Sequence, residues 1–100
     1  MTSFTEHFAE DRRLVILRVL AKAPAFTANE YLVQSAIAAY GHAVSRDLVR
    51  TDLAWLAEQG LVTVERVHTT HVARMTARGD DVQAGRATVP GVKRPLPGDS

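Results

Sequence analysis

Apolar residues recur at helical spacing over three segments, and the pattern then changes to period two. Ser3 and Glu6 form a capping-box pair, S-x-x-E, that predicts a first helix running to about Lys22, before Pro24 ends it. Phe8, Val15, Ile16, Val19 and Leu20 make one broad stripe on it. Leu14 and Leu17 fall outside that stripe and leave Arg18 nearly alone among apolar neighbours. A helix apolar most of the way round is covered on several sides. Leu14, Leu17 and Arg18 are therefore expected to face a second copy of the chain. Thr27-Ala28-Asn29-Glu30 reads as another capping box and Gly41, after Tyr40, as a C′ glycine. Between them Leu32, Ala36, Ile37 and Tyr40 give a helical stripe. Ser45 then caps a third helix over 45–59, with Leu48, Val49, Leu53 and Leu56 inward and Gly60 as its stop.

Past Gly60, Leu61, Thr63 and Glu65 alternate with Val62, Val64 and Arg66. Val72, Arg74 and Thr76 alternate in the same way with His71, Ala73 and Met75, so two strands joined at His68-Thr69-Thr70 form a hairpin. Residues 76–82 resemble a short capped helix, with Gly85 after it. From Arg86 onward three prolines and two glycines break every period, which predicts an extended or disordered basic tail. The expected fold is mainly α with a small β-hairpin: a domain over 1–85 and a tail over 86–100. Gly41-His42-Ala43-Val44 is a four-residue turn between the second and third helices, the order of a helix-turn-helix.

One hundred residues, 46 % of them apolar, suffice for a single core without staples. The chain has no cysteine, so disulfide frameworks, thiolate metal sites and cysteine nucleophiles are excluded, which suits a reducing cytoplasm. The first residues lack the basic start and apolar run of a signal peptide, and the apolar run 14–17 is far too short to span a membrane. Net charge is +1; the tail carries +2, and residues 45–64 carry −1. That balance argues against tight, non-specific nucleic-acid binding by a monomer.

Val44-Ser45, Val49-Arg50-Thr51-Asp52-Leu53, and Leu56 with Gly60-Leu61-Val62 resemble the helix-turn-helix of bacterial regulators of the DeoR type. Met75-Thr76-Ala77-Arg78-Gly79 resembles the end of the wing and the start of the last helix in MarR-like proteins. The whole layout, with the tail stretch 85–95, is similar to small winged-helix proteins of Mu-like phages and prophages. The resemblance implies a winged helix-turn-helix: three helices, a two-stranded wing, a short C-terminal helix and a tail.

In that geometry the N-terminal part of the third helix meets base edges in the major groove. Arg46, Asp47, Arg50 and Thr51 lie on its outer side, and Arg46 and Arg50, four apart, share a face. Either arginine could reach guanine O6 and N7 in bidentate fashion, and Ser45 could donate to a phosphate. Equally, the arginines could pair with Asp47, Asp52 or other acids as a solvated face. Arg66, His68, Thr69, His71 and Arg74 of the hairpin suit a backbone or minor-groove contact, or a plain polar surface. His68-x-x-His71 lacks the further ligands a metal would need. Trp55 suits a dimer contact or a partly covered core position, and Asp52 an anchor for its helix. No G-x-S-x-G, phosphate loop or H-E-x-x-H occurs, so neither an enzyme nor a cofactor is expected. The expectation is a homodimer in the bacterial host cytoplasm that binds duplex DNA through helix 45–59 and regulates transcription. The alternative is a protein-interaction module of phage assembly, with a phage or host protein as partner.

Overall fold

The computed structural model describes residues 3–98. Helix α1 (Phe4–Lys22) begins at Ser3, whose Oγ accepts the Glu6 N–H at 3.1 Å. A 3-10 turn at Pro24–Phe26 follows, with Ala25 and Phe26 at φ of 54° and 56°, and turns the chain into strand β1 (Thr27–Asn29). Helix α2 (Glu30–Ala38) comes next, then α3 (Arg46–Glu58), strands β2 (Val62–Val67) and β3 (Thr70–Met75), and helix α4 (Ala77–Gln83). Ser45 caps α3 by accepting the Leu48 N–H at 3.1 Å, and Thr76 caps α4 by accepting the Gly79 N–H at 3.1 Å. Gly60, at φ +75°, ends α3 in the left-handed conformation that glycine adopts without penalty.

The fold is a compact α/β arrangement with a three-stranded antiparallel sheet in the order β1-β3-β2. The expected two-stranded hairpin is thus part of a larger sheet. Thr27–Asn29 is too short to show period two, and Thr27 and Glu30 have the spacing of a capping box. Instead, Ala28 pairs with Ala73 in β3, and Asn29 takes over as the α2 cap, its Oδ1 accepting the Leu32 N–H at 2.9 Å. The buried side of α2 shifts accordingly. Glu30, Val33 and Ile37 face inward, while Leu32 and Tyr40, expected inside, are 60 % and 58 % exposed.

Leu14 and Leu17 are fully buried within one chain, because α1 is packed against α2, β3 and α4 at once. Burial of a leucine side chain is worth about 1.5–3 kcal/mol, so neither can turn outward to meet a second copy. Leu14 and Leu17 are corrected on that ground as parts of the dimer face expected at Leu14, Leu17 and Arg18. Arg18, partly buried, lines a recess with Gln83 and Arg94. Phe8, expected in the apolar stripe, is exposed beside Phe4 near the start of α1.

The tail is irregular, as its prolines dictate, and of the two expected states, extended or disordered, the second is corrected. Val89 and Val92 are buried with the core, the Lys93 N–H donates to the Glu10 carbonyl at 3.1 Å, and Arg13 Nη1 donates to the Gly91 carbonyl at 2.9 Å. Two valines and backbone hydrogen bonds hold it, neither of which produces a periodic pattern. Positions 99–100 of the expected tail lie outside the described residues. No helix among the described residues is long and apolar enough to cross a membrane.

Candidate nucleic-acid interface

The start of α3 and the tip of the β2–β3 hairpin meet around one buried carboxylate. Glu30, first residue of α2, is fully buried, and a buried charge must be paired. Arg50 donates from Nε and Nη2 to its two oxygens at 2.7 and 3.2 Å. The His71 N–H donates to Glu30 Oε2, and Arg46 Nε lies 3.3 Å from Oε1. Arg50 Nη2 also donates to the Thr69 carbonyl at 3.2 Å, which ties the hairpin tip to α3. The guanidinium of Arg46 lies over the Tyr31 ring, 4.7 Å from its centroid. A cation over an aromatic face is attracted by the ring quadrupole.

This arrangement separates the two arginines. Arg50 has spent Nε and both Nη2 hydrogens inside the protein, so it has no free fork for a guanine edge. The alternative partners Asp47 and Asp52 do not hold it in hydrogen bonds; Glu30 does. Arg46 is 45 % exposed at its side chain, and neither of its Nη atoms has a hydrogen-bond partner among the described residues. The Ser45 hydroxyl accepts the cap hydrogen bond and keeps its own proton to donate. Thr51 is exposed, but its hydroxyl donates to the Asp47 carbonyl at 3.0 Å and is spent there.

Strand register divides the hairpin candidates. Arg66 faces His71 across the β2–β3 pair, two places along from Val64 and Ala73 on the core side of the sheet. Arg74 faces Thr63 and Thr27 on the opposite side and lines a shallow recess with Phe26 and Asp80. Arg74 is therefore separated from the α3 cluster, a correction to its grouping with Arg66. His68 and Thr69 form the two-residue turn, with His68 at φ 56°. Around Glu30, Arg46 and Arg50 stand against one carboxylate, a surplus of one positive charge. Among the described residues no group of three histidines or carboxylates could hold a metal.

Glu30 and Tyr31 were not among the candidates from sequence. Glu30 stands 20 positions from Arg50 and 41 from His71, so no local pattern announces the contact. Asp52, by contrast, does anchor its helix: Arg12 donates to it from Nε and from Nη2, the latter at 3.2 Å, and Arg13 Nε lies 3.6 Å away. Trp55 is partly covered, with the Arg13 guanidinium 4.1 Å from its ring centroid.

Hydrogen bonds from Arg50 hold the Glu30 carboxyl below its ordinary value of 4.5, against the opposing push of burial. For Asp11, by contrast, burial is the largest single influence and raises it, but hydrogen bonds from His42, at 2.6 Å, and Lys93 together bring it below 3.8. A carboxyl group with a depressed folded pKa adds stability above its unfolded pKa, and that stability is lost as pH falls through the folded value. Urea unfolding midpoints should thus be level near neutrality and drop as pH falls below about 4.5. Glu30→Gln should flatten that drop; an unchanged acid limb in this variant would remove Glu30 from the account.

No protein-family model matches the chain. It is 57 % identical over 88 residues to the uncharacterized protein gp26 of Escherichia phage Mu, covering 88 % of this chain and 91 % of gp26. It is also 51 % identical over 77 residues to an uncharacterized protein of Haemophilus influenzae, covering 76 % of this chain and 74 % of that protein. At this identity and coverage, the chain belongs to the family of phage Mu gp26.

Proposed function

We propose that this chain is a winged helix-turn-helix protein of phage or prophage origin. On this reading it binds duplex DNA as a homodimer and regulates transcription in the cytoplasm of the bacterial host. The observation that carries the reading is the coupling of the α3 start to the hairpin tip through Glu30, Arg50 and Thr69. A helix that enters the major groove and a hairpin that follows the backbone must keep a fixed relation, and this cluster supplies it. Similarity to a phage Mu protein agrees with the proposed origin.

One surplus charge per copy is small, so two copies are needed for useful affinity. If each copy neutralises about two phosphates, log affinity should fall with log salt with a slope of about −2 for a monomer and about −4 for a dimer. Anisotropy titrations against duplex DNA from the control region beside the gene, across a salt series, should give the steeper slope. Replacing Arg46 and Arg50 together by alanine should weaken binding roughly tenfold or more. Salt-insensitive binding, or none, would sink the reading.

A second reading is favoured by Phe4, Leu32 and Tyr40, which are 84 %, 60 % and 58 % exposed. On that reading the fold is a protein-interaction module of phage assembly, with a phage or host protein as partner. It predicts no DNA binding and stable co-purification with a virion protein.

A further inference from the structure

The reading as a DNA-binding protein leaves open which side chain chooses the sequence. We propose that Arg46, held on Tyr31 and against Glu30, reads a guanine in the major groove, and that Arg50 positions without reading. This rests on the DNA-binding reading above and narrows it.

The two arginines lie on one helix face, yet their donors are disposed of differently. Arg50 has its fork engaged: Nε and Nη2 are bound to Glu30, and Nη2 is bound again to the Thr69 carbonyl, which leaves Nη1 alone to reach outward. Arg46 is held at two points and free at its end. Its Nε approaches Glu30 at 3.3 Å and its plane is supported by the Tyr31 ring, while both Nη atoms are without hydrogen bonds among the described residues. Such a fork matches a planar acceptor pair, either guanine O6 and N7 or two phosphate oxygens. Guanine is favoured because the supports fix the orientation of the fork, and orientation matters for a base edge more than for a phosphate. A free arginine loses rotamer freedom when ordered, and the ring and the carboxylate impose much of that order before DNA arrives. Tyr31 is thus a positioning residue for specificity, and the aromatic face rather than the hydroxyl does the work.

Tyr31 is 47 % exposed, so its removal leaves the core intact. The test is selection from a pool of random duplex oligonucleotides, followed by titration of the enriched duplex with guanine or 7-deazaguanine at the preferred position. Wild type and Tyr31→Phe should prefer guanine by roughly ten- to hundredfold over the other bases. Tyr31→Ala and Arg46→Ala should lose most of that preference, while their binding to an unselected duplex falls less than about threefold. Arg50→Ala should lower binding to all duplexes by a similar factor. Undiminished guanine preference in Tyr31→Ala would overturn the proposal. So would an equal loss on every duplex for Arg46→Ala with a salt slope smaller by about one, the signature of a phosphate contact. Wild type that binds no duplex overturns the parent reading and this one with it.

Discussion

Asp52→Ala should destabilise the domain by about 3–5 kcal/mol, the usual result of breaking a buried ion pair from one side. In a domain of this size the melting temperature should fall by roughly 15 °C or more. Asp52 and Arg12 are 1 % and 7 % exposed, and the carboxylate is the hydrogen-bonding partner that holds the Arg12 guanidinium inside. Without Asp52, Arg12 must stay buried and unpaired or pull α1 away from α3 to reach water. Either outcome is costly, because the same contact also faces Arg13, whose Nε is already without a hydrogen bond. Arg12→Met combined with Asp52→Leu should recover most of the loss, since two apolar groups leave no charge stranded. Differential scanning calorimetry of the single and double variants checks both statements. A loss below about 1 kcal/mol for Asp52→Ala would mean that the pair is solvated in solution.

Gly79→Ala should also destabilise, against the sign expected from helix propensity. Gly79 lies within α4, where alanine is intrinsically better than glycine by about 1 kcal/mol. A methyl group at Gly79 would, however, stand 2.1 Å from the Leu61 carbonyl oxygen and 2.8 Å from Met75 Cγ. The methionine can shift; the carbonyl cannot do so cheaply. Leu61 O already accepts the Thr76 N–H at 3.0 Å, and Thr76 Oγ1 donates to the Gly60 carbonyl at 2.7 Å. These bonds fasten the start of α4 to the end of α3, and α4 approaches closely only because position 79 has no side chain. Overpacking a tight contact costs about 1–3 kcal/mol, and a clash with fixed backbone lies at the upper end. Chemical denaturation should show a lower midpoint for Gly79→Ala and almost none of this loss for Ala77→Ser, which is exposed. A Gly79→Ala protein as stable as wild type would show that α4 can slide.

The starts of α1, α3 and α4 are legible because a cap is a local device. Ser3, Ser45 and Thr76 each act within three residues of their own position. Gly60 is equally local. The features a local pattern does not announce depend on contacts between distant segments. Across α2 and the two residues after it, a stripe through Leu32, Ala36, Ile37 and Tyr40 and one through Val33 and Ile37 both satisfy helical spacing, and only β1 and the inward Glu30 decide between them. Leu14 and Leu17 look surplus in the sequence because α4 and the strap of residues 86–98, which help cover α1, lie far along the chain. At the candidate interface, Arg46 was recognisable from its place on α3. The difference between it and Arg50 was not, because Glu30 and Thr69 lie on other elements.

The strap also sets an order of events during synthesis. Arg13 waits for the carbonyl of Gly91, 78 positions later, and Trp55 is covered by the same glycine. Domains generally fold as units, and synthesis delivers about 5–20 residues per second. Helices α1 and α3 therefore emerge several seconds before the segment that closes over them, with Trp55 and the sites of Val89 and Val92 still open to water. Until residue 93 is released the nascent chain has a soft flank, and it is there that a chaperone or a protease would first find it.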